Sequence, residues 1–417
     1  MITRVKGTQD FLDLTLLNFV VEKISQHCAL YQFARIETPI IEYTELFKRS
    51  MGLETDVVSK EMFLIKSHDE EGQSEICLRP EATASMVRAF IENSIDHTPW
   101  KVFTYGPMFR YERPQKGRFR QFHQISIEVI GAISLAHDVE LLVMLDRLFH
   151  EGFSLNNYAL LINFLGCPED RKKYRVKLYD FLLKHRDDLD GLCKDRMEKN
   201  IMRVFDCKNQ KCQDIYKKAP KISDNLCAPC DVEWKGLQER LELLSISFSH
   251  EPGLVRGLDY YSKTVFEFVS HNLGAQSAFC AGGRYDQLVS DLGGKEDQPS
   301  VGAAIGIERL LMLLEPIKSK LNLPQPKAVR VILPMSEQQH TLALLIADEL
   351  RAQEIAVEVL IEGSIKSMMR KANKLGALHV LLLGQDEQDA REVTVKNMVT
   401  GQQEKIAQAE LAEYLKK

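Results

Sequence analysis

The sequence has no apolar run approaching the ~20 residues a membrane-crossing helix needs. Its best N-terminal candidate, residues 14–21, is short, interrupted by Asn18 and closed by Glu22 and Lys23. The start follows no signal-peptide pattern either, so the expected compartment is the cytoplasm and no membrane partner is expected. A secreted disulfide framework is lacking too, because nine cysteines, an odd number, are scattered over 417 residues. There is no basic surplus. A formal net charge of −5 excludes wholesale coating with Lys and Arg, so any nucleic-acid contact must come from local patches. No internal repeat is visible. What remains is a globular composition, 45% hydrophobic and 27% charged, in a chain too long for one ordinary core.

Two prolines among polar residues at 319–327 mark a linker. Beyond it, strand-like runs at 328–334, 356–361, 379–384 and 392–399 alternate with helical runs at 337–353, 365–375 and 409–417. That alternation predicts a small, partly parallel α/β domain over residues 328–417. Residues 1–325 read differently. Strand-like runs at 34–41, 62–67, 76–78, 101–110 and 122–130 lie close together, some joined by turn-rich connections such as 69–72. Helices are expected at 14–32, 81–93 and 136–152. The expected fold class is α+β, an antiparallel sheet flanked by helices. Residues 168–250 are polar, Lys-rich and mostly helical, and read as an insertion with little apolar core of its own.

The chemistry concentrates in residues 100–131, a strand, a long basic loop and a second strand. Between positions 110 and 120 the basic residues are Arg110, Arg113, Lys116, Arg118 and Arg120, and the only acid is Glu112. Such a local excess suits an anionic ligand, although a charged loop can also be simply solvated. In the second strand side chains alternate faces, so Phe122, Gln124, Ser126 and Glu128 share one. A second segment, residues 300–314, is a small-residue strand entering an apolar helix. Gly302 and Gly306 permit close backbone approach, and Arg309 falls in the first turns of the helix. The insertion carries Cys207-x4-Cys212 and Cys227-x2-Cys230, two close thiol pairs that suit tetrahedral zinc, with free thiols as the alternative. Cys28, Cys77, Cys167, Cys193 and Cys280 are spread singly and read as core or surface.

Together these segments resemble a known family. Phe-Arg-x-Glu-Arg at 109–113 with its long loop resembles motif 2 of the class II aminoacyl-tRNA synthetases, and Gly-Ile-Glu-Arg-Leu at 306–310 resembles motif 3. Ile-Glu-Thr-Pro-Ile-Ile-Glu at 36–42 is similar to motif 1, whose proline lies at the dimer interface. Leu-Val-Arg-Gly-Leu-Asp-Tyr-Tyr-Ser-Lys-Thr-Val-Phe-Glu-Phe at 254–268 and Ala-Gly-Gly-Arg-Tyr-Asp-Gln-Leu at 281–288 are similar to the two signatures of histidyl-tRNA synthetases. The opening Lys-Gly-Thr-Gln-Asp-Phe at 6–11 and Leu-Arg-Pro-Glu-Ala-Thr at 78–83 also match, so the resemblance runs nearly end to end.

The resemblance, to the bacterial type, implies a homodimeric ligase. It would attach histidine to tRNA(His) through a histidyl-adenylate, using ATP with Mg²⁺ and releasing AMP and diphosphate. Arg110 would bind the α-phosphate and the histidine carboxylate, and Arg256 would approach the same phosphate; these two are the implied catalytic residues. Arg309 would reach the γ-phosphate and cover the adenine, with Phe122 on its other face and Glu112 also at the ATP. Glu81 and Thr83 would hold the histidine α-amino group. Gln124, Glu128, Tyr260 and Tyr261 would complete the pocket, without the sequence saying which contacts which ring nitrogen. Pro80 and Glu81 equally fit a helix start.

The insertion would clasp the acceptor stem, and residues 328–417 would form the anticodon-binding domain. There, Lys366, Arg370, Lys371 and Lys374 are either a tRNA contact or a solvated helix face. Zinc at Cys207, Cys212, Cys227 and Cys230 would be structural. The sequence departs from the family at Ala82, where glycine is usual; alanine is strained there only if the position needs positive φ. A catalytically silent, histidine-binding regulatory paralogue is the alternative. Such paralogues usually lose motif arginines and the C-terminal domain, and this sequence keeps both.

Overall fold

The helix α1 (Thr15–Leu30) buries Leu16, Leu17, Val20, Ile24 and Cys28, the stripe its apolar spacing dictates. The structure is a computed structural model and describes residues 1–52, 55–66, 75–207, 209–256, 258–274, 277–324 and 328–416. It divides into two compact units, Met1–Leu323 and Pro324–Lys417. No helix among the described residues is long and apolar enough to cross a membrane.

Along the first unit run β1 (Ala34–Arg35), β2 (Ile41–Tyr43), β3 (Phe63–Ile65), β4 (Ile76–Leu78), β5 (Trp100–Phe109), β6 (Gln121–Ile130), β7 (Ala159–Phe164), β8 (Ser249–His250), β9 (Ser262–Val269), β10 (Ala278–Tyr285) and β11 (Ser300–Gly306). Eight form one sheet in the order β1-β5-β6-β11-β10-β9-β7-β8, and β2-β4-β3 form a smaller one. The large sheet is antiparallel except where β1 joins β5 and β8 joins β7.

The helices between are α2 (Thr44–Met51), α3 (Thr83–Glu92), α4 (Ala136–Arg147), α5 (Pro168–Leu183), α6 (Gly191–Lys199), α7 (Gln210–Tyr216), α8 (Ala228–Leu243), α9 (Leu288–Asp291) and α10 (Ile307–Leu314). The pleat of β6 decides which side carries chemistry. Ile125, Ile127 and Val129 pack into the core that α1 and α4 cover. Gln124, Ser126 and Glu128 therefore face the opposite side.

The second unit holds β12 (Val329–Pro334), β13 (Glu358–Val359), β14 (Ala377–Leu383), β15 (Glu392–Asn397) and β16 (Gln403–Ala407), ordered β13-β12-β14-β15-β16. β12 is parallel to β13 and β14, while β14, β15 and β16 are antiparallel in turn. Its helices are α11 (His340–Ala352), α12 (Ile365–Lys374), α13 (Gln385–Ala390) and α14 (Leu411–Lys416). Val331 and Leu333 pack with Met368 and Ala372 of α12, whereas Ile332 packs with Ala343, Ile346 and Ala347 of α11. Strand alternation thus puts one helix on each face.

Several expectations need correcting. Residues 34–41 are not one strand. Only Ala34–Arg35 pairs with β5, and after Pro39 the chain moves to the small sheet as β2; proline has no N–H to extend a ladder. Strands β7, β8, β9, β10 and β16 and helix α13 were not anticipated. In β10 the pair Gly282 and Gly283 masks the strand pattern, yet a Cβ at Gly282 would lie 2.1 Å from the Gly302 carbonyl oxygen of β11. The insertion also has its own buried apolar residues, among them Tyr174, Leu178, Leu182, Met197 and Val204. Ser67 and the turn at 69–72 lie outside the described residues.

Candidate active site

The cavity opens over the Gln124 side of β6. It has a volume of about 600 Å³, and Arg110, Arg256 and Arg309 all line it. They arrive from the loop after β5, the segment before β9 and the first turn of α10. Glu81, Thr83, Glu112, Phe122, Gln124, Tyr260 and Tyr261 share the same wall.

Each arginine is aimed by a distinct anchor. Arg110 donates Nε to the Pro80 carbonyl at 2.9 Å, and its guanidinium stands 5.5 Å from the Phe122 ring centroid. Arg309 donates Nε to the Gly117 carbonyl at 2.9 Å and Nη1 to the Ala278 carbonyl at 2.6 Å. Its pKa falls to about 10, first from burial and then from the neighbouring charges of Arg118 and Arg110. Cations crowded so that each depresses the next are a site prepared for an anion. Arg256 instead pairs with Glu267 and stands 5.8 Å over the Tyr261 ring. Glu112 pairs with Arg118.

A second group forms the inner end. Glu81 caps α3, accepting from the Thr83 amide at 2.7 Å and the Ala84 amide at 2.9 Å. Burial nonetheless pushes its carboxyl above the usual range. Thr83 turns its hydroxyl the other way and donates to Glu128 Oε1 at 2.6 Å. Tyr285 Oη donates to Glu128 Oε2 at 2.6 Å. Burial raises the Glu128 carboxyl to about 8 against these two bonds. The Tyr260 and Tyr261 ring centroids lie 4.6 Å apart with the planes tilted by 46°, and Tyr260 meets Tyr285 edge-on. Gln124 Oε1 is buried with no hydrogen-bond partner, although Gln124 lines the cavity. An orphan acceptor in a cavity wall awaits a donor from a ligand. At Ala82, φ is −109°, so alanine is unstrained.

Tyr285 received no role from the sequence, although it lies inside the quoted 281–288 stretch. It shares one face of β10 with Ala281, which lines the cavity. Asp56, Glu61, Arg196, Arg203 and Glu267 also reach the wall without having been singled out. Arg203 comes from the insertion and bonds Asp56 at 2.5 Å. Chain spacing carries no signal that would set the insertion beside the sheet.

The four-cysteine zinc set is overturned. Cys227 and Cys230 gather with Cys167 and Asp170, whereas Cys207 and Cys212 gather with Asp190 and Cys193. Cys167 and Cys193, read as isolated, belong to these clusters. The two pairs are close along the chain, but Cys212 lies in α7 whereas Cys227 and Cys230 sit at the start of α8, tied to the start of α5 through Asp170.

A family profile described as histidyl-tRNA synthetase matches residues 17–310, and one described as an anticodon binding domain matches residues 330–417. A histidine–tRNA ligase of Halothermothrix orenii is 43% identical over 419 residues, spanning 99% of this chain and 98% of that one. One of Clostridioides difficile is 41% identical over 422 residues, spanning 100% and 99%. The crystal structure of apo S. aureus histidyl-tRNA synthetase superposes with a TM-score of 0.81 at 32% identity, covering all of both chains. An antiparallel sheet bearing an arginine-lined cavity, followed by an anticodon-binding domain, is the build of a class II aminoacyl-tRNA synthetase. Within that class, the chain belongs to the histidyl-tRNA synthetase family.

Proposed function

We propose that this chain attaches histidine to tRNA(His), using ATP with Mg²⁺ as its counter-ion. The observation that carries the reading is one cavity lined by Arg110, Arg256, Arg309, Glu81 and Thr83, with Glu128 buried directly behind Thr83 and bonded to its hydroxyl. In the first step the histidine carboxylate attacks the α-phosphate of ATP and diphosphate leaves. In the second a terminal ribose hydroxyl of the tRNA captures the adenylate and AMP leaves. Both first-step reactants are anions, so the protein must hold them in line and stabilise charge growing on phosphorus. Arg110 and Arg256 do this at the α-phosphate and the carboxylate. Arg309 takes the γ-phosphate and, with Phe122, the adenine, since guanidinium and ring both stack on π-faces. Glu112 lies on the ATP side. Glu81 and Thr83 hold the α-amino group, and Gln124, Glu128, Tyr260 and Tyr261 enclose the imidazole. A polar pocket of this kind rejects analogues that leave its groups unpaired. No protein nucleophile is needed.

The exposed apolar residues Ile40, Ile41, Tyr43 and Leu64 around β2 and β3 fit a homodimer interface. The insertion meets the acceptor stem. The exposed basic residues Lys366, Arg370, Lys371 and Lys374 of α12 meet the anticodon arm. A tRNA substrate places the reaction in the cytoplasm. Histidine-dependent exchange of diphosphate into ATP tests the proposal. Exchange that needs histidine and no tRNA is the expected result; histidine binding without exchange would support the regulatory reading instead.

A further inference from the structure

Two side-chain clusters in and beside the insertion take no part in that reaction. Cys167, Asp170, Cys227 and Cys230 each bring one ligand atom within 4.8 Å of the others, and so do Asp190, Cys193, Cys207 and Cys212. The two share a composition of three thiols and one carboxylate. Four ligands about 2.3 Å from a tetrahedral ion are separated by about 3.8 Å, so closing either cluster on an ion needs shifts of about 1 Å at most.

The local build explains why the groups converge. Cys167 precedes α5 and Asp170 lies in its first turn; Cys227 precedes α8 and Cys230 lies in its first turn. Residues three apart at a helix start point the same way. Asp170 ties the two starts together, accepting from the Cys227 amide at 2.9 Å and the Cys167 amide at 3.3 Å. In the second cluster Asp190 caps α6 through the Cys193 amide at 2.7 Å and lies 3.4 Å from Cys207 Sγ. Tyr216, 6% exposed, sets its hydroxyl against Cys193.

Hard cations such as Ca²⁺ and Mg²⁺ take oxygen ligands, whereas three sulfurs select zinc. We propose that the chain binds two zinc ions, one at Cys167, Asp170, Cys227 and Cys230 and one at Asp190, Cys193, Cys207 and Cys212. The first ion fastens α5 to α8, and the second fastens α6 to the segment entering α7. The first clamp continues to the cavity, because Arg171, next to Asp170, donates Nη1 to the Tyr261 carbonyl at 2.8 Å.

The test is elemental analysis of the full-length protein, expressed with zinc supplied and purified without chelator or metal resin. About two zinc ions per chain are expected, falling to about one in Cys230→Ser and about one in Cys193→Ser. Zinc at or below about one per chain in the parent overturns the proposal, as does zinc retained in full by both variants. Mapping of a Cys227–Cys230 disulfide in the purified chain also overturns it. Should either variant fail to fold, cobalt exchanged into the parent decides: thiolate-to-cobalt charge transfer with tetrahedral d–d bands is expected, and an octahedral spectrum refutes it.

Discussion

Gly302→Ala probes the histidine pocket through a residue that offers no side chain to it. Gly302 lies opposite Glu128 in the β11–β6 ladder. A Cβ there would sit 1.6 Å from Glu128 Oε2 and 2.9 Å from the Ile127 carbonyl oxygen. The carboxyl is not a loose end, being 1% exposed and held by Thr83 and Tyr285 at 2.6 Å each. It must move about 2 Å to reach ordinary contact distance, which breaks the bond to Tyr285 and misdirects the one to Thr83. Two disrupted hydrogen bonds, with their buried partners left unsatisfied, cost ~2–4 kcal/mol. That cost falls on the fold; in the exchange assay the displaced Glu128 also loses one charged hydrogen bond to histidine, worth ~1.5–3 kcal/mol, which predicts a histidine KM raised roughly 10- to 150-fold. The ATP side stands on Arg110 and Arg309, anchored by backbone carbonyls elsewhere, so the ATP KM changes by less than about threefold. Circular dichroism confirms that the variant is folded. A folded Gly302→Ala protein with near-parental histidine KM would refute the placement of Glu128 in the histidine pocket.

Arg256→Lys keeps the charge facing Glu267 and so folds, but it loses the planar fork; exchange should fall by ~10²–10⁴ for two charged hydrogen bonds at ~1.5–3 kcal/mol each. Near-parental exchange would remove Arg256 from the chemistry. Glu128 predicts a pH signature in the unliganded protein. Its carboxyl is raised to about 8 when folded, so its contribution to stability is full below the unfolded carboxylate range and declines as pH rises through 8. Relative to Glu128→Gln, the parent should lose ~1.4 kcal/mol per pH unit across that window in urea melts, and parallel curves would contradict the shift. Removing residues 328–417 should depress tRNA charging far more than histidine-dependent exchange, and equal loss of both would argue against an anticodon-binding role.

The chemistry-bearing face was legible wherever a strand's period is strict. Alternation along β6 alone separates Gln124 and Glu128 from Ile125, Ile127 and Val129, and the structure keeps that division. The period fails where the sheet is tightest. β10 needs Gly282 because β11 passes too close for any side chain, so the middle of the strand, residues 280–284, carries none of the β-branched and aromatic residues that advertise strands. The helix signals were similarly local. Pro80 and Glu81 announce the start of α3, and the Glu81 carboxylate does cap it.

What spacing cannot supply is the identity of partners across the fold. Two cysteine pairs 14 residues apart invite a single four-thiol site, yet each pair is only half of a different cluster. The other halves come from Cys167 and Asp170 at the start of α5 and from Asp190 and Cys193 at the start of α6. Both hidden halves include an aspartate, which a search for cysteine pairs passes over. The arginines obey the same limit. Arg110, Arg256 and Arg309 are separated by well over a hundred residues at the first gap and about fifty at the second, and nothing local to any of them predicts a common cavity. Their convergence was readable only because the motifs around them resemble a family whose fold brings them together. Arg203, which lies outside those motifs, reaches the same cavity unannounced. A local pattern therefore fixes which way a side chain faces, and only the fold fixes what it faces.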